Sequence, residues 1–399
     1  MDSALESLTI AAVFIFDRPI DQPAETIRRA LSRALVPYHP IAGRLTVGEH
    51  GLQRFSCTCE GVAFVGASAR CTLHDARLTD RRPVIPVEDL TVTYAEQQYQ
   101  EDSPFLLMQV TEFSCGGFTV GVTWNHVITD GVGMAQFLQA VGGFACGLSS
   151  PSSVEALRVD SALTELPPPI ITLTNTVPMS FINRIKDKFH RSNGESCTAF
   201  DVFTAAIWKC RARATIGAGA ANQDAPTAFV FTANVRKQAG AKDGYYGNVF
   251  TFGLAACTVG AVANGDILDL VRLIRDAKAR VPYTFTDGAA NIADEMGGRL
   301  KGLDGYNTLY VTSWWNLGLD DVDFGSGGPA RIMGNMERKV VPACILCGRK
   351  DKADGVAAMA FCVKPEHAEA FHAELGMLRA SPAGPVNLSP YLSFPSRPV

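Results

Sequence analysis

Thr123-Trp-Asn-His126-Val-Ile-Thr-Asp130-Gly131-Val-Gly133-Met134 joins two kinds of periodicity. Gly117 to Thr123 is a β-rich apolar run, whereas Met134 to Val141 repeats at helical spacing. A histidine therefore stands on the turn where a strand ends and a helix begins. Core packing can hold a side chain rigid there while it faces a cleft. Histidine is also the side chain whose ordinary pKa makes it a proton acceptor near neutrality. Four residues on, Asp130 precedes Gly131 and Gly133, glycines that let a backbone turn sharply. Seven histidines make one H-x-x-x-D spacing by chance ordinary, and Asp130 has the plainer role of capping the following helix. The spacing alone leaves both readings open.

Composition narrows the class. The 399 residues exceed one ordinary core, so two domains are expected. They are 47% apolar and 19% charged, as in a soluble globular protein. A net charge of −4 gives no electrostatic case for a nucleic-acid or anionic-membrane partner. No apolar run reaches membrane-spanning length, and the N-terminus lacks a basic region followed by an apolar one. Eleven scattered cysteines suit free thiols in a reducing compartment, and the cytosol is the expected location. Cys344-Ile-Leu-Cys347 has metal or redox spacing, but it lies in an apolar run without a partner pair and reads as core strand.

In chain order, residues 8–16 read as a buried strand and 25–36 as an amphipathic helix, which Pro37, Pro40 and Gly43 end. His39 lies among these prolines with no flanking acid, which suits packing or capping better than catalysis. Residues 53–65 alternate like one half-exposed strand, and 106–113 and 117–124 form a strand pair that delivers His126. The Ser- and Pro-rich stretch after 147, with Leu166-Pro-Pro-Pro-Ile170, reads as an extended crossover. The expected division is 1–165, a linker 166–195, and 196–399. The last part holds helices at 198–211, 265–281 and 366–378 and strands at 228–234, 249–257, 306–313, 340–348 and 355–363. Arg272, Arg275, Lys278 and Arg280 read as a solvated face rather than a phosphate site. No G-x-G-x-x-G follows a strand, so two α/β sandwich-like domains are expected, not a doubly wound sheet.

Four separated motifs, in order, resemble those of the plant BAHD family of acyl-CoA-dependent acyltransferases. Tyr38-His-Pro-Ile-Ala-Gly-Arg-Leu45 resembles its Y-x-P-x-A-G-R-L turn. Cys115-Gly-Gly-Phe-Thr-Val-Gly with Asn125-His126-Val-Ile-Thr-Asp130-Gly131 resembles its strand and H-x-x-x-D-G segment. Gly244-Tyr-Tyr-Gly-Asn248 resembles its Y-x-G-N segment, and Asp323-Phe-Gly-Ser-Gly327 its D-F-G-W-G loop. Together they span nearly the whole chain, and the joint match is far more specific than any one piece.

The resemblance implies an α/β fold of two pseudo-symmetric chloramphenicol acetyltransferase-like domains with a channel between them. It implies a monomer with no permanently bound cofactor and no metal, taking acyl-CoA as co-substrate and an alcohol or amine as acceptor. Aromatic acyl groups, hydroxycinnamoyl or benzoyl, fit the family's range. His126 would be the general base. Asp130, Gly131, Asp323, Gly325 and Arg236 would support the site, with Asp130 pointing away from the cleft and Asp323 paired to Arg236. Thr198 and Ala199, at a helix start, would meet the CoA pantetheine or nucleotide, a placement that also suits phosphate. Two departures stand out: Ser326 replaces the loop tryptophan, and the chain begins short of a typical member's N-terminal segment. A thioesterase using the same base on water, or a non-catalytic binding protein, are the competing readings.

Overall fold

The computed structural model describes residues 9–47, 53–79, 83–94, 102–150, 173–217, 222–286, 305–336, 342–347 and 355–379. Leu166 to Ile170, the centre of the expected crossover, lies outside these. The first half runs β1 (Thr9–Phe16), α1 (Pro23–Ala34), β2 (Arg44–Val47), β3 (Gln53–Ser56), β4 (Ala63–Ala69), β5 (Leu106–Phe113), β6 (Phe118–Asn125) and α2 (Gly131–Ala145). Next come β7 (Leu173–Val177), α3 (Met179–Asn193), α4 (Ala199–Gly217), β8 (Pro226–Asn234), β9 (Phe250–Thr258), α5 (Val259–Asn264) and α6 (Ile267–Thr286). The chain continues with β10 (Thr308–Ser313), β11 (Arg331–Met336), β12 (Ala343–Cys347), β13 (Val356–Phe361) and α7 (Pro365–Met377).

Two mixed sheets organise these elements, in the orders β11-β1-β6-β5-β4 and β7-β13-β12-β10-β8-β9. All eight residues of β1 are buried: β6 and β11 flank it, both antiparallel, and each of its faces meets an apolar cluster. On one side Phe14 pairs with Val120, and on the other Ile332 does. Strand β11 is the main departure from expectation. Arg331–Met336 comes from the second half of the chain yet completes the first sheet. Its glycine and asparagine hide it from strand propensity. At Gly334 a side chain would collide with the buried Trp314 ring, whose nearest atom lies 2.5 Å from where a Cβ would stand.

Two other expectations need correction, and one nearby stands. The single strand at 53–65 is two, β3 and β4, separated where Cys59 and Gly61 take left-handed backbone angles (φ 57° and 88°). The helix expected at 265–281 stands as α6 (Ile267–Thr286), opened at Asp266, whose carboxylate accepts from the Leu268 N–H at 2.9 Å, with the short α5 lying just before that span. The expected linker 166–195 contains β7, an edge strand of the second sheet, and α3. Phe181, Ile182, Ile185 and Phe189 form the buried stripe of α3, and Gly194 closes it at φ 69°. That helical spacing was readable in the sequence.

Side-chain alternation assigns each sheet face a role. From the second sheet, Phe229, Phe231, Cys344 and Leu346 point into a core with α4, α6 and α7. The opposite face sends Ile345, Cys347, Met359 and Phe361 into the core of the first half, among Phe14, Trp124 and Phe137. The two halves therefore share one continuous apolar core. Cys344 and Cys347 lie on opposite faces of β12, so they cannot join in one metal or redox centre. Burial raises both thiols, Cys347 to about 12, which leaves them inert core side chains. Among the described residues, no helix is long and apolar enough to cross a membrane.

Candidate active site

The motif residues converge around α2. Its neighbour α1 carries the chain to Tyr38, which is fully buried and stacks edge-on against Phe137 of α2 with centroids 5.2 Å apart. Tyr246, from the third motif, lies 5.0 Å from the same Tyr38 ring. Gln136 of α2 ties the turns together: its amide nitrogen donates to the Tyr38 hydroxyl (3.0 Å) and to the Gly244 carbonyl (2.8 Å). Segments more than a hundred residues apart thus meet on one helix.

His126 follows the last residue of β6 and is half-buried between the halves. Its ring meets the edge of Phe250, on β9, with centroids 5.6 Å apart at 72°. The Asn248 amide nitrogen donates to the carbonyls of His126 (2.9 Å) and Val127 (3.1 Å). The second half of the chain thereby clamps the backbone that carries the histidine. His126 Nδ1 and Asn248 Oδ1 are both buried and lack a hydrogen-bond partner. Burial lowers the ring's pKa below its ordinary 6.5. The Asp130 carboxylate, the residue's own backbone carbonyl and the nearby Asn248 side chain oppose that shift. The net result is a ring held neutral at neutral pH.

Asp130 sits at the N-cap of α2, and its Oδ1 accepts from the Gly133 N–H at 3.0 Å, the capping role open from the sequence. The same carboxylate takes both guanidinium nitrogens of Arg236, Nη2 on Oδ1 (2.7 Å) and Nη1 on Oδ2 (2.8 Å). Oδ2 also accepts from the Val249 N–H at 3.0 Å. Four donors saturate Asp130, which leaves it no place in a proton relay. Asp130 caps the helix and pairs with Arg236; the pairing expected for Asp323 is absent.

Arg236 bonds Asp130, not Asp323. The reason is distance along α2. Asp323 lies at Gly142, twelve residues beyond Asp130, or about 18 Å along the helix. There Asp323 Oδ1 accepts from the N–H groups of its own loop, Gly325 (2.7 Å) and Gly327 (2.8 Å). Both glycines have left-handed backbone angles, φ 111° and 87°, so here glycine is required for conformation. Buried Phe324 packs on Phe16 and anchors the loop to β1. Ser326 Oγ, in the place of the family tryptophan, is buried without a partner.

Gly131 and Gly133 need correction too. Neither has a positive φ; they lie in the first turn of α2. Their requirement is smallness. A Cβ at Gly133 would overlap the Tyr246 carbonyl oxygen and Thr129 Oγ1, and one at Gly131 would stand 2.6 Å from Leu317 Cδ1. The Thr129 hydroxyl donates to that same Tyr246 carbonyl.

Thr198 has a local role rather than a free one. It caps α4 reciprocally with Asp201: Thr198 N–H donates to Asp201 Oδ2 (2.8 Å) and Asp201 N–H to Thr198 Oγ1 (3.2 Å). Lys278 Nζ then bonds Asp201 Oδ1 at 2.6 Å. A buried carboxylate therefore already fills the helix start at Thr198 and Ala199, a poor setting for a phosphate. Arg272 and Arg275 are likewise paired, to Asp269 and Glu195. His39 is exposed at the start of a 3-10 turn. Among the described residues, no three His, Cys, Asp or Glu side chains group closely enough to hold a metal ion.

Known acyltransferases resemble this chain in sequence and in fold. A family model described as the transferase family matches residues 1–170 and 171–377. "Acyl transferase 15" of Oryza sativa subsp. japonica is 37% identical, over 96% of this chain and 93% of its own length. A myricetin 3-O-glucosyl 1,2-rhamnoside 6'-O-caffeoyltransferase of Crocosmia x crocosmiiflora is 31% identical, over 94% of this chain and 93% of its own. The crystal structure of vinorine synthase superposes with a TM-score of 0.75 at 20% identity, covering 93% of this chain and 90% of that one. That similarity concerns the fold.

Proposed function

The chain belongs to the BAHD family of acyl-CoA-dependent acyltransferases, and from that premise we propose that it transfers an aromatic acyl group to an alcohol or amine with His126 as general base. The observation that carries the proposal is the state of that ring. It is half-buried where the two halves of the chain meet, set against Phe250, and burial lowers its pKa. The caffeoyltransferase similarity supports an aromatic acyl group.

The chemistry follows from which nitrogen is free. Nδ1 is buried without a hydrogen-bond partner, so the basic role is assigned to Nε2. Nε2 takes the proton of the acceptor hydroxyl or amine as its heteroatom attacks the thioester carbonyl carbon. The new carbon–heteroatom bond gives a tetrahedral oxyanion. Its collapse breaks the carbon–sulfur bond, and the departing thiolate recovers the proton from His126. No covalent enzyme intermediate is required. Asp130 and Arg236 hold the turn, and Asn248 holds the backbone of the base.

The test is release of CoA thiol from acetyl-, benzoyl- and 4-hydroxycinnamoyl-CoA, with and without pooled alcohols and amines. Release that requires an acceptor, with the ester or amide found by mass spectrometry, is the expected result. Release indifferent to acceptor would identify a thioesterase, and no release from folded protein a binding protein.

A further inference from the structure

The cleft face of the second sheet carries a half-exposed patch that the reaction above does not use. On β8, Phe229 and Phe231 enter the second core, so Thr232 points to the opposite face, the one that Ile345 and Met359 turn toward the first half. Antiparallel pairing sets Phe252 of β9 directly across from Thr232, on the same face. Parallel pairing of Val311 with Phe231 brings Thr312 beside Thr232, and the two hydroxyls are hydrogen-bonded at 3.0 Å. Phe252 meets Phe250 edge-on, with centroids 5.7 Å apart at 87°, and Phe250 meets His126. A continuous path therefore runs from the candidate base across two aromatic rings to a pair of hydroxyls.

Towards the middle of the sheet this face is closed, with Ile345, Cys347 and Met359 buried in the shared core. Thr232, Thr312, Phe250 and Phe252 are all half-exposed. One threonine hydroxyl donates to the other, so one O–H and several lone pairs remain for a third group. Ring faces and edges beside an unspent hydroxyl pair suit a flat ring with a polar tip better than an alkyl chain.

We propose that Phe250, Phe252 and the Thr232–Thr312 pair form a subsite for a hydroxylated aryl group, with the ring against the phenylalanines and its hydroxyl on the threonines. The proposal rests on the acyltransferase reading for its location beside His126. A hydroxylated aryl group can belong to the acyl donor or to a phenolic acceptor, and the test separates the two.

Calorimetric binding to the full chain is measured in two arms. The first compares 4-hydroxycinnamoyl-CoA with cinnamoyl-CoA. The second compares 4-hydroxybenzyl alcohol with benzyl alcohol in the presence of CoA. Wild type is expected to favour the hydroxylated member of one arm by about tenfold, the worth of one hydrogen bond. Thr312→Val, and separately Thr232→Val, should bring that ratio close to one, while Phe252→Leu should weaken both members of the same arm. Two variants at the hydroxyl pair protect the test against a single folding failure. The subsite is overturned if wild type shows no preference in either arm, or if the preference survives both valine substitutions. Because binding is read without turnover, failure to transfer any acyl group would count against the enzyme reading and leave the subsite to be judged by these ratios.

Discussion

Asp130→Asn should destabilise the protein by about 3–5 kcal/mol, the usual cost of removing one partner from a buried ion pair. The carboxylate accepts four hydrogen bonds between 2.7 and 3.0 Å, two from Arg236 and two from backbone N–H groups. Side-chain exposure is 8% for Asp130 and 16% for Arg236, so water cannot replace what is lost. An asparagine keeps one acceptor oxygen but turns an NH2 group toward donors. Arg236 is then left with the Gly247 carbonyl, at 2.7 Å, as its one other partner among these bonds. Arg236→Met should cost a similar amount. The double variant Asp130→Asn/Arg236→Met should cost clearly less than the sum, because neither orphaned charge remains. The assay is urea unfolding followed by tryptophan fluorescence, with the midpoint read at constant slope. A loss below about 1 kcal/mol for each single variant, as for an exposed ion pair, would refute the reasoning. A kinetic readout accompanies it. The Asp130 charge raises the His126 pKa, so its removal should move the acid limb of kcat/KM to lower pH.

Gly133→Ala should destabilise by about 1–3 kcal/mol or more, because the added methyl meets the Tyr246 carbonyl rather than a flexible side chain; thermal unfolding checks this. Asn248→Ala should lower kcat by up to about a hundredfold through displacement of the histidine backbone, with a smaller change in KM, in steady-state assays. Since burial lowers the His126 pKa, wild-type kcat/KM should be flat above pH 6.5 and fall only as the pH drops through a lower value. An acid limb centred above 6.5 would contradict this. The stability contribution has the same sign: it is fully present above 6.5, where folded and unfolded rings are both neutral. It declines as the pH falls and the unfolded ring takes a proton that the folded one resists.

Local features were legible in the sequence, and pairings distant along the chain were not. The strand–turn–helix around His126 follows from a change of period at one histidine, and β6 and α2 lie within a few residues of where that change puts them. The capping role of Asp130 also follows from its position before an apolar helical run. Its second role, holding Arg236 from 106 residues away, leaves no mark on either segment. The same holds for β11, whose partner β1 lies more than three hundred residues earlier. Glycine was ambiguous in its own way. At Gly325 and Gly327 it serves left-handed backbone, whereas at Gly131 and Gly133 it serves close approach, and the letter is the same. Helix α3 is the avoidable miss: its apolar spacing was readable, but the proline-rich stretch before it drew the whole region into a linker.

The most direct test of the account compares His126→Ala with wild type in acceptor-dependent release of CoA thiol, with folding verified by circular dichroism. The account predicts a loss of about 10²–10⁴ in kcat with the unfolding midpoint essentially retained, since the ring makes no hydrogen bond through Nδ1. A folded variant with activity within a few fold of wild type would show that His126 is not the base.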